Sequence, residues 1–359
     1  MKIDRVHFYV EDALASRNWF VRHLGFQAVA SGASSHTCTE VVRSGSVYFV
    51  LSAPLTPDSP VAEFLKWHPP GVADLAFIVQ DLEAVMDRAV KLGAKVLQPI
   101  GQKVNGSCRW GKIAAWGSLS HTLIDAKRQG SREASFMVDC SWFRIHSNEQ
   151  STINNQLFTN IDHVVLNVAA GDLEGAARWY ENTLGFESQQ SFAIQTARSA
   201  LHSKVMVHPN TLVKLPINEP ASANSQIQEF LDLNRGAGIQ HIALQTPNIV
   251  DAIALLRHKG LPFLPVPPTY YAQLKQRQGL QLSEAEIAAI AREQILVDWE
   301  ADTPHALLLQ IFTQPIFQQP TFFFELIERR FQARGFGEGN FRALFEAIER
   351  EQMKRGSLQ

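Results

Sequence analysis

A chain of 359 residues, 45% hydrophobic and 19% charged, is long enough for two domains and holds enough apolar material for a real core. Its formal charge of −2, from 33 basic and 35 acidic residues, leaves no electrostatic footprint for nucleic acid or an anionic membrane. The three cysteines, Cys38, Cys108 and Cys140, form no CxxC pair, which argues against a disulfide framework or zinc knuckle and fits a reducing, cytoplasmic setting.

The N-terminus begins directly with strand-like sequence and no signal-peptide pattern, and no apolar run approaches the ~18–20 residues of a membrane span. Residues 3–10 (Ile-Asp-Arg-Val-His-Phe-Tyr-Val) read as a strand, followed by a helix carrying Leu14, Trp19, Phe20 and Val21 that stops at Gly25. Residues 161–168 (Ile-Asp-His-Val-Val-Leu-Asn-Val) repeat that strand, and Trp179-Tyr180 with Leu184-Gly185-Phe186 repeat the helix and its stop. A second repeat aligns Gly71-Val72-Ala73-Asp74-Leu75-Ala76 with Gly238-Ile239-Gln240-His241-Ile242-Ala243, without a gap through Gly93/Gly260 and Leu97/Leu264. Each half therefore holds two related units, four in all, with residues 1–146 and 159–359 as domains and the polar stretch 147–158 as linker.

The halves differ in their titratable residues. His163 corresponds to Arg5, and His241 to Asp74, so the nitrogen ligands belong to the second copy alone and the first reads as structural. Ser283-Glu284-Ala285-Glu286 is a capping box opening a helix. Residues 306–313 read as a strand. In the run Thr321–Arg330, alternation puts Thr321, Phe323, Glu325 and Ile327 on one face, and Phe322, Phe324 and Leu326 on the other. Glu325 is a carboxylate among phenylalanines with no Lys or Arg within three residues, so a distant cation, a metal or water at a strand edge must satisfy it. Asn340 reads as the N-cap of a terminal helix with Phe341, Leu344, Phe345 and Ile348 on one face.

Repeat symmetry places His163 and His241 at the starts of homologous strands facing a common interior. Each alone reads as a core histidine. With Glu325 they make two histidines and one carboxylate on sheet strands, a set suited to non-haem Fe(II) and dioxygen chemistry. Zinc hydrolysis fits less well, because no HExxH general base follows either histidine. There is no GxSxG, and no GxGxxG in a dinucleotide-binding context. His202, His208 and His305 read as surface or loop residues.

These residues lie within an ordered set of motifs over roughly residues 155–350 that resembles 4-hydroxyphenylpyruvate dioxygenases. The motifs are Ile161-Asp162-His163-Val164-Val165, Leu215-Pro216-Ile217-Asn218-Glu219-Pro220, Gly236-Ala237-Gly238-Ile239-Gln240-His241, Pro268-Thr269-Tyr270-Tyr271, Leu308-Leu309-Gln310-Ile311-Phe312, Phe324-Glu325-Leu326 and Gly335-Phe336-Gly337-Glu338-Gly339-Asn340-Phe341. The resemblance implies an α+β vicinal-oxygen-chelate fold of four βαβββ modules in two domains, with a C-terminal lid helix. It implies Fe(II) held by His163, His241 and Glu325, with 4-hydroxyphenylpyruvate and dioxygen giving homogentisate and carbon dioxide in a homo-oligomer, a dimer or tetramer. It matches Ser203, Asn218, Gln226, Gln240 and Gln310 to polar substrate positions, and Phe312, Phe323, Phe336 and Phe341 to aromatic walls, with Gln310, Asn218 and Phe336 nearest the chemistry. Strict alternation points Gln240 away from His241, so Gln240 needs a local bulge to reach the pocket. A hydroxymandelate synthase is the rival the resemblance leaves, and Phe312 favours ring hydroxylation.

Overall fold

The computed structural model describes residues 1–102, 109–125, 144–145, 156–196, 198–209, 211 and 213–356. All but the last three residues of the expected linker lie outside these. Strands β1 (Lys2–Tyr9), β2 (Gln27–Ala33), β3 (Thr37–Ser44), β4 (Val47–Pro54), β5 (Gly71–Val79), β6 (Val96–Gln102), β7 (Arg109–Ala114), β8 (Ser120–Asp125) and β9 (Arg144–Ile145) form one sheet, in the order β6-β7-β8-β5-β1-β4-β3-β2-β9. Strands β10 (Asn160–Asn167), β11 (Glu187–Gln195), β12 (Ala200–Val207), β13 (Lys214–Pro220), β14 (Gly238–Gln245), β15 (Leu296–Asp298), β16 (Leu308–Phe312) and β17 (Phe323–Arg329) form the other, in the order β11-β12-β13-β10-β14-β17-β16-β15.

Each sheet is two βαβββ modules joined through their first strands. The crossover helices are Ala13–Leu24, Leu82–Lys91, Leu173–Leu184 and Ile249–His258. The first and third end at Gly25 (φ 69°) and Gly185 (φ 76°), left-handed caps that cost a glycine little. The duplication extends to register. In β10–β14, Ile161 pairs with Leu244 and His163 with Ala243, while Val165 pairs with His241 and Leu166 with Ile239, so Asp162 and Gln240 are bulge residues. In β1–β5 the corresponding shifts leave Asp4 and Ala73 as bulge residues. Both copies therefore carry the same pair of irregularities.

The two sheets share one core. Strand β17 supplies its seam from the rear face. Phe324 stacks on Phe49 at 5.7 Å and 28°, and Phe322, just before the strand, meets Phe8 edge-on at 5.2 Å. All four rings are buried. Polar contacts tie the same seam: His23 Nδ1 to the Lys259 carbonyl at 2.9 Å, and Arg88 Nε to the Thr183 carbonyl at 2.9 Å.

The capping box at Ser283 is present. The terminal helix departs from expectation. It runs Glu338–Arg355 with Gly337 at its N-cap, so Asn340 is already inside it. The Asn340 side chain does not cap because it is engaged sideways by Gln310 and Tyr270. Phe345 is buried, as the apolar face requires, whereas the side chains of Phe341 and Leu344 lie outside the described residues.

His121 joins the halves. Its Nδ1 donates to the Leu75 carbonyl at 3.1 Å and its Nε2 accepts from the Tyr180 hydroxyl at 3.1 Å. Burial, only partly offset by Asp74, pushes its pKa down to about 4. The unfolded imidazole binds a proton below about 6.5 and the folded one does not until about 4. Its contribution is therefore complete above about pH 6.5 and is lost as pH falls towards 4, a loss of about 3 kcal/mol at most. Urea unfolding at pH 7.5 and pH 5 is expected to show this destabilisation, and His121→Asn to flatten it. An unchanged slope in the variant removes His121 from the account.

Candidate active site

The second sheet curls around a cavity lined by His163, His241, Glu325 and the walls described below. His163 lies on β10, His241 on its antiparallel neighbour β14, and Glu325 on β17, opposite Ala243 across a parallel pair. All three are buried. Glu325 Oε2 stands 3.1 Å from His163 Nε2 and 3.7 Å from His241 Nε2. One ligand atom from each residue lies within 4.8 Å of the others, and among the described residues this is the one His, Cys, Asp and Glu group with that geometry. Donors bound at about 2.1 Å on adjacent corners of an octahedron stand roughly 3 Å apart, so the set fits a single small divalent cation with open positions left over.

The bulges orient the histidines. Asp162 turns to the same side as His163, and its Oδ1 accepts from His163 Nδ1 at 2.9 Å. Gln240 Oε1 lies 3.4 Å from His241 Nδ1 in the same relation. Each contact occupies Nδ1 and leaves Nε2 for a cation, the usual arrangement behind a metal-bound imidazole. Strict alternation puts neighbours such as Asp162 and His163 on opposite faces; the bulge at Asp162 reverses that. Arg329 grips Asp162 with two bonds, Nε to Oδ2 at 2.6 Å and Nη2 to Oδ1 at 2.8 Å. Its Nη1 donates to the carbonyls of Ala333 and Gly335, fixing the turn before Phe336.

The electrostatics of the centre follow from the same contacts. Burial opposes charge on Asp162, yet Arg329 and His163 hold it well below the usual carboxylate range. Burial likewise opposes a charged His163, but Glu325 and Asp162 outweigh it and raise the ring's pKa. His241 is pushed well down by burial and then by His163. Arg329 neutralises Asp162, and the ion-pair partners of Glu325 among the described residues are the two histidines alone. A buried carboxylate that raises the pKa of its neighbour offers a favourable seat for a cation. In the first copy, the equivalent positions by register are Arg5, Asp74 and Thr122. There Lys112 Nζ stands 3.5 Å from Asp74, and Ser120 Oγ 2.8 Å from it. A lysine ammonium supplies the charge in that copy.

Ser203, Asn218, Gln226, Gln240, Gln310, Phe312, Phe323 and Phe336 all line the cavity with the triad. The Phe341 side chain is outside the described residues. Phe323 stacks on the His241 ring at 4.8 Å and 17°, and Phe336 meets His163 at 5.5 Å. Asn218 Nδ2 points to Asn167 Oδ1 at 3.3 Å, so its own carbonyl oxygen turns inward. Gln226 Oε1 is buried with no hydrogen-bond partner among the described residues. Gln310 Nε2 donates to Glu325 Oε1 at 2.8 Å and to the Phe336 carbonyl at 3.1 Å. His202 is half-exposed beside Glu219 and takes no part. Sequence reading did not find Asp162, Arg329 or Asn167, nor Lys214, whose Nζ stands 3.5 Å from Asp162 Oδ1. The Asp162-His163 adjacency was the one usable signal, and alternation concealed it.

Fold and site define a member of a metal-binding superfamily of repeated βαβββ modules. Residues 160–278 match the family model of the glyoxalase/bleomycin resistance protein/dioxygenase superfamily, and residues 2–129 match that of the hydroxyphenylpyruvate dioxygenase N-terminal region. The chain is 39% identical to the 4-hydroxyphenylpyruvate dioxygenase of Coccidioides posadasii, over 99% of this chain and 94% of that protein. It is 38% identical to that of Dictyostelium discoideum, over 99% of both. Its structure is similar to a mutant 4-hydroxymandelate synthase from Streptomyces coelicolor, with a TM-score of 0.86, 28% identity and 98% of each chain covered. The chain belongs to the 4-hydroxyphenylpyruvate dioxygenase family, and is an enzyme of the non-haem dioxygenase type. No helix among the described residues is long and apolar enough to cross a membrane.

His163→Ala, His241→Ala and Glu325→Ala are each expected to lose stoichiometric metal after anaerobic Fe(II) loading, with the far-UV circular dichroism unchanged. Full metal content in any one variant removes that residue from the centre. Arg329→Ala leaves buried Asp162 with only the more distant Lys214 ammonium, 3.5 Å away, and is expected to lower unfolding free energy by about 3 kcal/mol in urea titration.

Proposed function

We propose that the enzyme converts 4-hydroxyphenylpyruvate and dioxygen to homogentisate and carbon dioxide, with Fe(II) held by His163, His241 and Glu325. The carrying observation is the distribution of polar groups in the cavity. Its lining includes no Lys or Arg, so a substrate carboxylate has only the metal to neutralise it. A 2-oxo acid suits that demand. Bound Fe(II) supplies a chelating centre for the keto acid and the activation of dioxygen. The substrate's own decarboxylation provides two electrons, so no organic cofactor is called for.

The remaining polar groups are neutral amides and a hydroxyl: Asn218, Gln226, Gln240, Gln310 and Ser203. They suit an uncharged phenol. The buried acceptor on Gln226 lacks a donor, and a phenolic O–H provides one. Phe312 and Phe323, both buried and 6.2 Å apart edge to face, give the ring an apolar wall. Phe336 and the terminal helix close the cavity from above and keep water from the reacting centre. The first half acts as structural support, with Lys112 Nζ 3.5 Å from Asp74, the counterpart of His241.

Hydroxymandelate synthesis from the same substrate is the second reading, and the Streptomyces coelicolor structure favours it. Phe312 and the two dioxygenase relatives favour ring hydroxylation. Product identification after incubation with 4-hydroxyphenylpyruvate, Fe(II) and dioxygen decides between them: homogentisate is expected, and 4-hydroxymandelate would overturn the proposal. Gln226→Leu is expected to lower kcat/KM for 4-hydroxyphenylpyruvate roughly 10- to 100-fold. Consumption of phenylpyruvate, which lacks the hydroxyl, should change far less. Equal losses on both substrates would contradict a phenol contact at Gln226.

A further inference from the structure

The hydrogen bonds behind Glu325 form a chain with only one possible sense. Glu325 Oε1 is acceptor-only, so the Gln310 amide must present Nε2 to it, at 2.8 Å. Gln310 Oε1 then faces outward and accepts from Asn340 Nδ2 at 3.0 Å. That turns Asn340 Oδ1 towards the Tyr270 hydroxyl, 2.9 Å away. The hydroxyl accepts from the Val297 backbone N–H at 2.8 Å. Its single proton has two candidate acceptors, Asn340 Oδ1 and the Val297 carbonyl at 3.0 Å. The carbonyl also receives Arg277 Nη1 at 3.3 Å, whereas Asn340 Oδ1, at 2.9 Å, is the nearer of the two acceptors for the proton. Burial raises the Tyr270 pKa to about 12, so that proton stays in place.

No link can be reversed alone. Flipping Asn340 sets oxygen against the Gln310 oxygen. Flipping Gln310 to relieve this sets oxygen against both Glu325 and the Phe336 carbonyl. A wrong sense anywhere leaves a buried acceptor facing an acceptor, a cost on the order of 1–3 kcal/mol. Tyr270 and Asn340 are absent from the cavity lining, so neither acts by touching substrate. Asn340 is buried inside the terminal helix, and Tyr270 sits on the separate helix Pro268–Leu274. Gly337 lets the chain pass this close: at φ 79°, a Cβ there would collide with the Gln310 amide.

We propose that Tyr270 and Asn340 are positioning residues which, through Gln310, fix the orientation of the Glu325 carboxylate and so couple docking of the terminal helix to the metal affinity of the site. Gln310 consequently has both amide protons committed to protein acceptors in this arrangement, and a substrate oxygen can claim one only by displacing the Phe336 carbonyl. The inference rests on the metal centre proposed above.

The test is anaerobic titration of the metal-free, full-length chain with Co(II), followed by its visible absorption and by competition with a chelator. Tyr270→Phe keeps the ring and removes the hydroxyl; it is expected to weaken Co(II) binding roughly tenfold. Asn340→Ala removes a link, whereas Asn340→Asp offers the Gln310 oxygen an acceptor in place of its donor. Asn340→Asp is therefore expected to be the weaker binder, by about 100-fold relative to the parent chain. A role confined to packing predicts the reverse order, with Asn340→Ala at least as damaged, and that order would overturn the proposal. If Asn340→Asp fails to fold in thermal unfolding, Tyr270→Phe decides alone, and parent-like affinity there also overturns it. Absence of stoichiometric Co(II) binding by the parent chain would instead count against the metal centre itself.

Discussion

A carboxylate buried without a fixed cation is the constraint on which the second half of the molecule turns. Glu325 is 2% exposed, and its ion-pair partners among the described residues are two imidazoles, one raised in pKa by the carboxylates beside it and the other pushed down by burial. Burial at this depth is tolerable only if a positive charge arrives or the field is relieved by a proton. The surrounding structure is arranged to make the first option the better one. Nδ1 of each histidine is occupied from behind, Gln310 holds one carboxylate oxygen, and the unshared lone pairs converge on one point. Strand β17 serves both of its faces: Glu325 and Phe323 look into the cavity, while Phe324 stacks against the first half.

The comparison of the two copies isolates what the metal site requires. Sheet order, register and both bulges persist in the copy without it. The scaffold therefore does not depend on the cation. What differs is the side chain at a few positions: Arg5 for His163, Asp74 for His241, Thr122 for Glu325. In the first copy the charge of Asp74 is met by a side-chain ammonium, that of Lys112 on the strand neighbouring Thr122. Such a salt bridge holds a sheet together but offers no open coordination position.

Much of this was legible in the sequence because it follows from periodicity. The repeat, the helix stops, the triad and the division of Phe322 and Phe324 from Phe323 and Glu325 all obey the two-residue pleat or the amphipathic turn. What stayed hidden breaks those periods. Asp162 and Gln240 sit on bulges, so alternation assigned Asp162 to the wrong face and made Gln240 conditional on a distortion that is present. Arg329 lies close to Glu325 in sequence yet serves Asp162, a partner far along the chain that no local pattern links to it. Asn340 looked like a cap because Asn favours caps, whereas a buried tertiary contact set its role. Tyr270 belonged to a recognised motif with no evident task, since its hydrogen-bond partners, Val297 and Asn340, come from two separate segments.

The aromatic seam bears on how such a duplicated protein can change. Phe8, Phe20 and Phe49 of the copy without a cation site form the surface on which Phe322 and Phe324 rest. A substitution among them, far from any ligand, shifts the strand that carries Glu325. The first copy holds no His, Cys, Asp and Glu group of metal-binding geometry among its described residues, yet its side chains pack against the strand that bears Glu325. Drift in its sequence is free at the surface and answerable at this seam, where selection on a reaction in one half is felt by side chains in the other.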